Sequence, residues 1–111
     1  MVKRVFYIEK EKFLRSMVEL ALKAKKAEIY TVDTLSENFY LIDDLKPQLV
    51  LFDLDATPQD LERLYLYHDR LKLIATGPSE LMSTLDPRVS GFIPKPIVAH
   101  NLAERILSLI D

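Results

Sequence analysis

Five short apolar runs alternating with longer stretches of helical spacing predict an α/β domain, a parallel sheet covered on both faces by helices. The runs Val5–Ile8, Ile29–Val32, Leu49–Phe52, Leu71–Ala75 and Phe92–Ile93 have the composition of strands buried on both sides. Between them, apolar residues recur at i, i+3 and i+4. Across 111 residues there is no internal repeat, low-complexity segment or linker, so residues 1–111 are expected to form one domain.

The elements follow in order. After the first run, Phe13, Leu14, Met17, Val18 and Ala21 form one helical stripe. A weaker helix is expected from about Ser36 to Leu45, stopping before Pro47. Thr57-Pro58-Gln59-Asp60 reads as a helix start, with a hydroxyl cap, proline at the first position and an acid three residues after the cap. The stripe Leu61, Leu64, Tyr65, His68 continues that helix. Another helix is expected from Pro78 to Leu85, before Asp86-Pro87, and Leu102, Ile106, Leu109 and Ile110 mark the last.

Composition excludes several classes of function. Fifteen basic against seventeen acidic side chains give a net charge of −2, which argues against a protein that holds nucleic acid by neutralising phosphates. The absence of cysteine removes disulfides, thiolate nucleophiles and cysteine-ligated zinc, and two histidines cannot build a histidine-rich metal site. With only Gly77 and Gly91, no glycine-rich phosphate loop is available. The first apolar run is broken by Glu9 and Lys10, too early for a signal peptide, and no run approaches transmembrane length, so a cytoplasmic location without membrane contact is expected.

In sheets of this kind the chemistry lies beyond the carboxyl ends of the strands. Glu9 and Lys10 follow the first run and Asp33 the second; Asp53 closes the third, with Asp55 two residues on. Thr76 and Gly77 close the fourth, and Lys95-Pro96 follows the fifth. Taken singly, each residue has an ordinary use in a cap, a strand or an exposed loop. Together, a carboxylate, a hydroxyl and an ammonium on one edge can handle a phosphoryl group, the first attacking and the others contacting the transferred oxygens.

The combination resembles the receiver domains of two-component response regulators. Pro47-Gln48-Leu49-Val50-Leu51-Phe52-Asp53 is similar to their third strand, which ends in the phosphoacceptor aspartate; Leu73-Ile74-Ala75-Thr76-Gly77 is similar to the fourth. Gly91-Phe92-Ile93-Pro94-Lys95-Pro96 resembles the fifth, with Lys95 as the phosphate-contacting lysine and Phe92 at the position of a switch aromatic paired with Thr76. The resemblance spans essentially the whole chain. It implies a flavodoxin-like three-layer fold with sheet order 2-1-3-4-5 and five helices, and a cis Lys95–Pro96 bond. It also implies magnesium-dependent phosphoryl transfer to Asp53 from a histidine kinase or phosphotransfer protein. A downstream protein would contact the face formed by residues 78–111, and homodimers are admissible.

The same comparison marks departures. Where receivers usually carry two adjacent acids, this chain has Glu9 and Lys10, leaving Glu9, Asp53 and Asp55 as the expected magnesium ligands, weakened by Lys10. The loop after Asp53 lacks the usual Met-Pro. These losses bear on phosphorylation more than on fold, so a degenerate, phosphate-independent interaction module stands beside the phosphoacceptor reading. Neither is a turnover enzyme. The alternative is enzymatic: Asp53, Asp55 and Thr57 also resemble the D-x-D-x-T motif of haloacid-dehalogenase-type phosphatases, with Thr76 and Lys95 on later strands. About half the chain precedes that motif, however, and the closing acidic pair of that family is missing.

Overall fold

The structure is a computed structural model that describes residues 2–55 and 58–110. Its strands are β1 (Arg4–Ile8), β2 (Glu28–Val32), β3 (Leu49–Asp53), β4 (Lys72–Pro78) and β5 (Gly91–Lys95), all parallel, in the order β2-β1-β3-β4-β5. The helices are α1 (Lys12–Lys23), α2 (Tyr40–Leu45), α3 (Leu61–Tyr65) and α4 (Leu102–Ser108). A 3₁₀ turn, Pro58–Asp60, leads into α3, and a second 3₁₀ segment, Ser79–Thr84, forms the last of the four connections between strands.

Side-chain alternation along the strands divides the core into two layers. Val5 and Tyr7 of β1, Leu49 and Leu51 of β3, Ile74 of β4 and Ile93 of β5 pack with Val18 and Leu22 of α1 and Leu102 and Ile106 of α4. The intervening residues Phe6, Ile8, Val50, Phe52, Leu73 and Ala75 pack with Leu35, Phe39 and Ile42 around α2 and with Leu64 and Tyr65 of α3. The central strand β3 is buried at all five positions, as a strand covered on both faces must be.

Three helical expectations are revised. The helix expected from Ser36 begins at Tyr40, because the Asn38 side-chain amide donates to the Thr34 carbonyl at 2.7 Å and Ser36 N–H reaches Thr34 Oγ1 at 3.4 Å. These local bonds hold the segment as a turn. Residues 79–84 form a 3₁₀ segment with no buried residue, so no apolar face rewards a longer α-helix there. The stripe that included His68 ends earlier, since α3 stops at Tyr65 and His68 stands exposed in the following turn. The Thr57 cap lies outside the described residues.

β4 runs past its apolar run to Pro78 because β5 pairs with it there, with Thr76 opposite Ile93 and Pro78 opposite Lys95. Pro94 sits within β5, an edge strand, where a missing N–H costs least. No helix among the described residues is long and apolar enough to cross a membrane.

Candidate functional site

The alternation that builds the core also builds the site. Glu9 follows Val5 and Tyr7 at the same parity, as Asp53 follows Leu49 and Leu51, Thr76 follows Ile74, and Lys95 follows Ile93. Each continues the α1/α4-side column of its strand at the carboxyl end, and the parallel register brings the ends level, with Asp53 opposite Thr76. Glu9, Asp53 and Thr76 are the only charged or polar residues buried among those described.

Lys95 joins the two acids. Its Nζ lies 2.9 Å from Glu9 Oε1 and 3.1 Å from Oε2, and it donates to Asp53 Oδ2. Asp53 Oδ1 accepts the backbone N–H of Asp55 at 2.7 Å. Burial works against the Lys95 ammonium, but hydrogen bonds to Asp53 and Glu9 and their negative charges outweigh it and hold its pKa above the usual lysine value. Thr76 Oγ1 is fully buried and has no hydrogen-bond partner. A buried hydroxyl left in that state costs about 1–3 kcal/mol, which makes it a donor open to a further acceptor.

Two further residues complete the arrangement, and the sequence reading did not assign either to the site. Tyr7, fully buried on β1, donates its hydroxyl to Glu9 Oε1 at 3.0 Å. Burial first, then the Glu9 charge and this bond, push its phenol far above the ordinary tyrosine value. Its position two residues before Glu9, on the same strand face, was the signal available. Arg15, on α1, donates one guanidinium nitrogen to the carbonyls of Glu9 at 2.5 Å and Lys10 at 2.9 Å, fixing the turn after β1.

Other expected residues do not join. Lys10 is exposed and makes no ion pair with Glu9 or Asp53, because the turn after β1 carries its side chain away from the buried acids. Asp55 is exposed and contributes its backbone N–H, while Glu11, also exposed, donates its N–H to Glu9 Oε2 at 3.2 Å. Phe92 is half-buried on the opposite face of the sheet, packed with the α2/α3 layer beside Ala75. The Lys95–Pro96 bond is cis.

A divalent ion such as magnesium takes near-octahedral oxygen ligands. No group of three acids that could hold a metal occurs among the described residues. The two buried acids are already bridged by an ammonium, and Glu9 accepts three hydrogen bonds besides its ion pair with Lys95 through Oε1. The residues do not fit the ion.

No protein-family model matches the sequence, and no curated protein matches it. Solved structures do. An orphan response regulator of H. pylori, HP1043, superposes with a TM-score of 0.82 at 21% identity over 98% of this chain and 97% of that one. A response regulator from Thermotoga maritima gives 0.83 at 17% identity, covering 99% and 98%. The chain has the receiver fold. It spans about half of a third match, from a streptococcal family of redox sensors evolved from two-component response regulators (TM-score 0.81, 22% identity, 97% of this chain and 51% of that one). At these identities the likeness is one of fold. The sheet order and these structures are those of receivers and do not favour the phosphatase reading. Within the receiver fold, Asp53 and Lys95 end the third and fifth strands, and Thr76 lies two residues before the end of the fourth.

Proposed function

We propose that residues 1–111 act as one receiver-type signalling domain in which Asp53 accepts a phosphoryl group and the response is passed on by protein–protein contact. The observation that carries this reading is the buried Asp53 carboxylate, paired with Lys95 and opposite a Thr76 hydroxyl that has no partner. In the step, an Asp53 oxygen attacks phosphorus and the P–N bond of a partner's phosphohistidine breaks. The imidazole leaves with the electron pair and is protonated, and an acyl phosphate forms on Asp53. The N–H of Lys95 now given to Asp53 passes to a phosphoryl oxygen, and Thr76 donates to another.

The partners by this reading are a histidine kinase or phosphotransfer protein upstream and a protein downstream. The downstream surface is the face from residue 78 onward, where Met82 and Val98 are exposed. The test is acetyl-phosphate treatment followed by intact mass and peptide mapping. One phosphoryl group on Asp53, absent from Asp53→Asn, is expected; no label under any condition overturns the phosphoacceptor role and leaves a phosphate-independent interaction module.

A further inference from the structure

We propose that Lys95 is the resident cation of this site, committed there by Tyr7 through Glu9, and that the site therefore takes a phosphoryl group without a divalent metal; the second clause rests on the function proposed above. Glu9 Oε1 accepts from the Tyr7 hydroxyl at 3.0 Å and lies 2.9 Å from the Lys95 ammonium in an ion pair, while Oε2 accepts from Lys95 at 3.1 Å and from Glu11 N–H at 3.2 Å. Three of the roughly four lone-pair positions of the carboxylate thus accept hydrogen bonds, and the ammonium stands against both oxygens. A metal at Glu9 would have to displace Lys95 from it.

Lys95 is engaged in the same way, donating to Glu9 Oε2 and Asp53 Oδ2 and ion-paired with Glu9 Oε1. The ammonium stands between the two carboxylates, where an added dication would have to stand. A metal entering there would break both of its ion pairs and then face the displaced positive charge at short range. Tyr7 fixes Glu9 in this position. Its buried phenol is a neutral donor held by the core and bonded to Glu9 Oε1, the oxygen that also faces Lys95. Lys10 has no part in it, being exposed. Among the described residues, the Thr76 hydroxyl has no partner and suits an oxygen of a tetrahedral anion, while the Asp53 carboxylate is the group that would attack it.

Magnesium titration of the folded domain, read by melting temperature and by the amide resonances of Glu9, Asp53 and Leu54, tests the proposal at constant ionic strength. In wild type and in Lys10→Asp, about 10 mM magnesium should leave the melting temperature unmoved and give no saturable shift. In Lys95→Met, which unpairs both acids, a site of roughly millimolar affinity should raise the melting temperature by about 5–10 °C. Saturable binding in wild type, a gain produced by Lys10→Asp alone, or no gain in Lys95→Met would each overturn the assignment. The wild-type titration decides by itself should Lys95→Met fail to fold. Acetyl-phosphate labelling with EDTA against magnesium adds a separate readout. Equal labelling supports metal-free transfer, and labelling that needs magnesium overturns it. No labelling beside an unresponsive wild-type titration removes the phosphoacceptor role while the assignment of Lys95 stands.

Discussion

At the scale of single residues, Tyr7 shows how one hydroxyl links core to chemistry. Its ring belongs to the α1/α4-side layer and its oxygen holds Glu9. Tyr7→Phe keeps the packing and strips one partner from a buried carboxylate, which should cost about 1–3 kcal/mol by urea denaturation at pH 7. The same variant tests pH dependence. Tyr7 has a pKa raised by folding, so its contribution is complete below the unfolded tyrosine value and is lost as pH rises above it. Wild type should lose stability above roughly pH 10, with Tyr7→Phe showing a shallower fall. Parallel slopes between pH 8 and 11 would mean that folding does not raise the Tyr7 phenol. Thr76→Val should leave stability unchanged or raise it, because an unpartnered buried hydroxyl is replaced by an isosteric methyl. A loss above about 1 kcal/mol would show that the hydroxyl is already bonded.

At the scale of elements, the connection into β5 is held by Arg88. Its guanidinium pairs with Asp86 at 2.9 Å, reaches Glu62 of α3 at 3.2 Å and stands 5.0 Å over the Tyr65 ring. These contacts tie the segment before β5 to α3, while Ser90 N–H bonds the Leu73 carbonyl at 2.7 Å. Hydrogen bonds from Arg88 hold Asp86 down to a pKa of about 2, below its ordinary value. A lowered pKa means stability present above the unfolded value and lost as pH falls through the folded one. The pairing should therefore weaken from about pH 4 down to about pH 2. In Arg88→Ala the loss of stability across that window should be smaller, and amide exchange at Val89 and Ser90 should be faster already at pH 6. Unchanged exchange there would show that Arg88 does not anchor the strand.

At the scale of the molecule, one sheet separates two apolar layers that share every strand residue through alternation. Leu51 and Phe52 are adjacent on β3, both fully buried, and belong to opposite layers. Leu51→Ala and Phe52→Ala should each cost about 2–5 kcal/mol and lower the midpoint of one common transition. Far-ultraviolet circular dichroism and tyrosine fluorescence should coincide for both; a split transition would mean that the layers unfold separately. The site depends on this economy, since its four side chains are the last members of one layer's columns.

Strand identity, strand order through the receiver resemblance, and the placement of Asp53, Thr76 and Lys95 near the carboxyl ends of their strands were legible in the sequence, because period-two burial and βα alternation are local patterns. The extents of α2 and of the segment before β5 were not, since Asn38 and Thr34 compete for the backbone and residues 79–84 lack a face to bury. Nor was the exclusion of Lys10, which was expected to cluster with Lys95, Glu9 and Asp53. Lys10 is adjacent to Glu9 in the chain, yet Lys95, eighty-six positions away, takes both carboxylates. Adjacency along a strand sends neighbouring side chains to opposite faces, whereas parallel register sets distant residues of equal parity side by side. The sequence by itself determined which residues stand at the edge of the sheet; only the tertiary structure decided which of them touch, because that depends on parity and register across four strands.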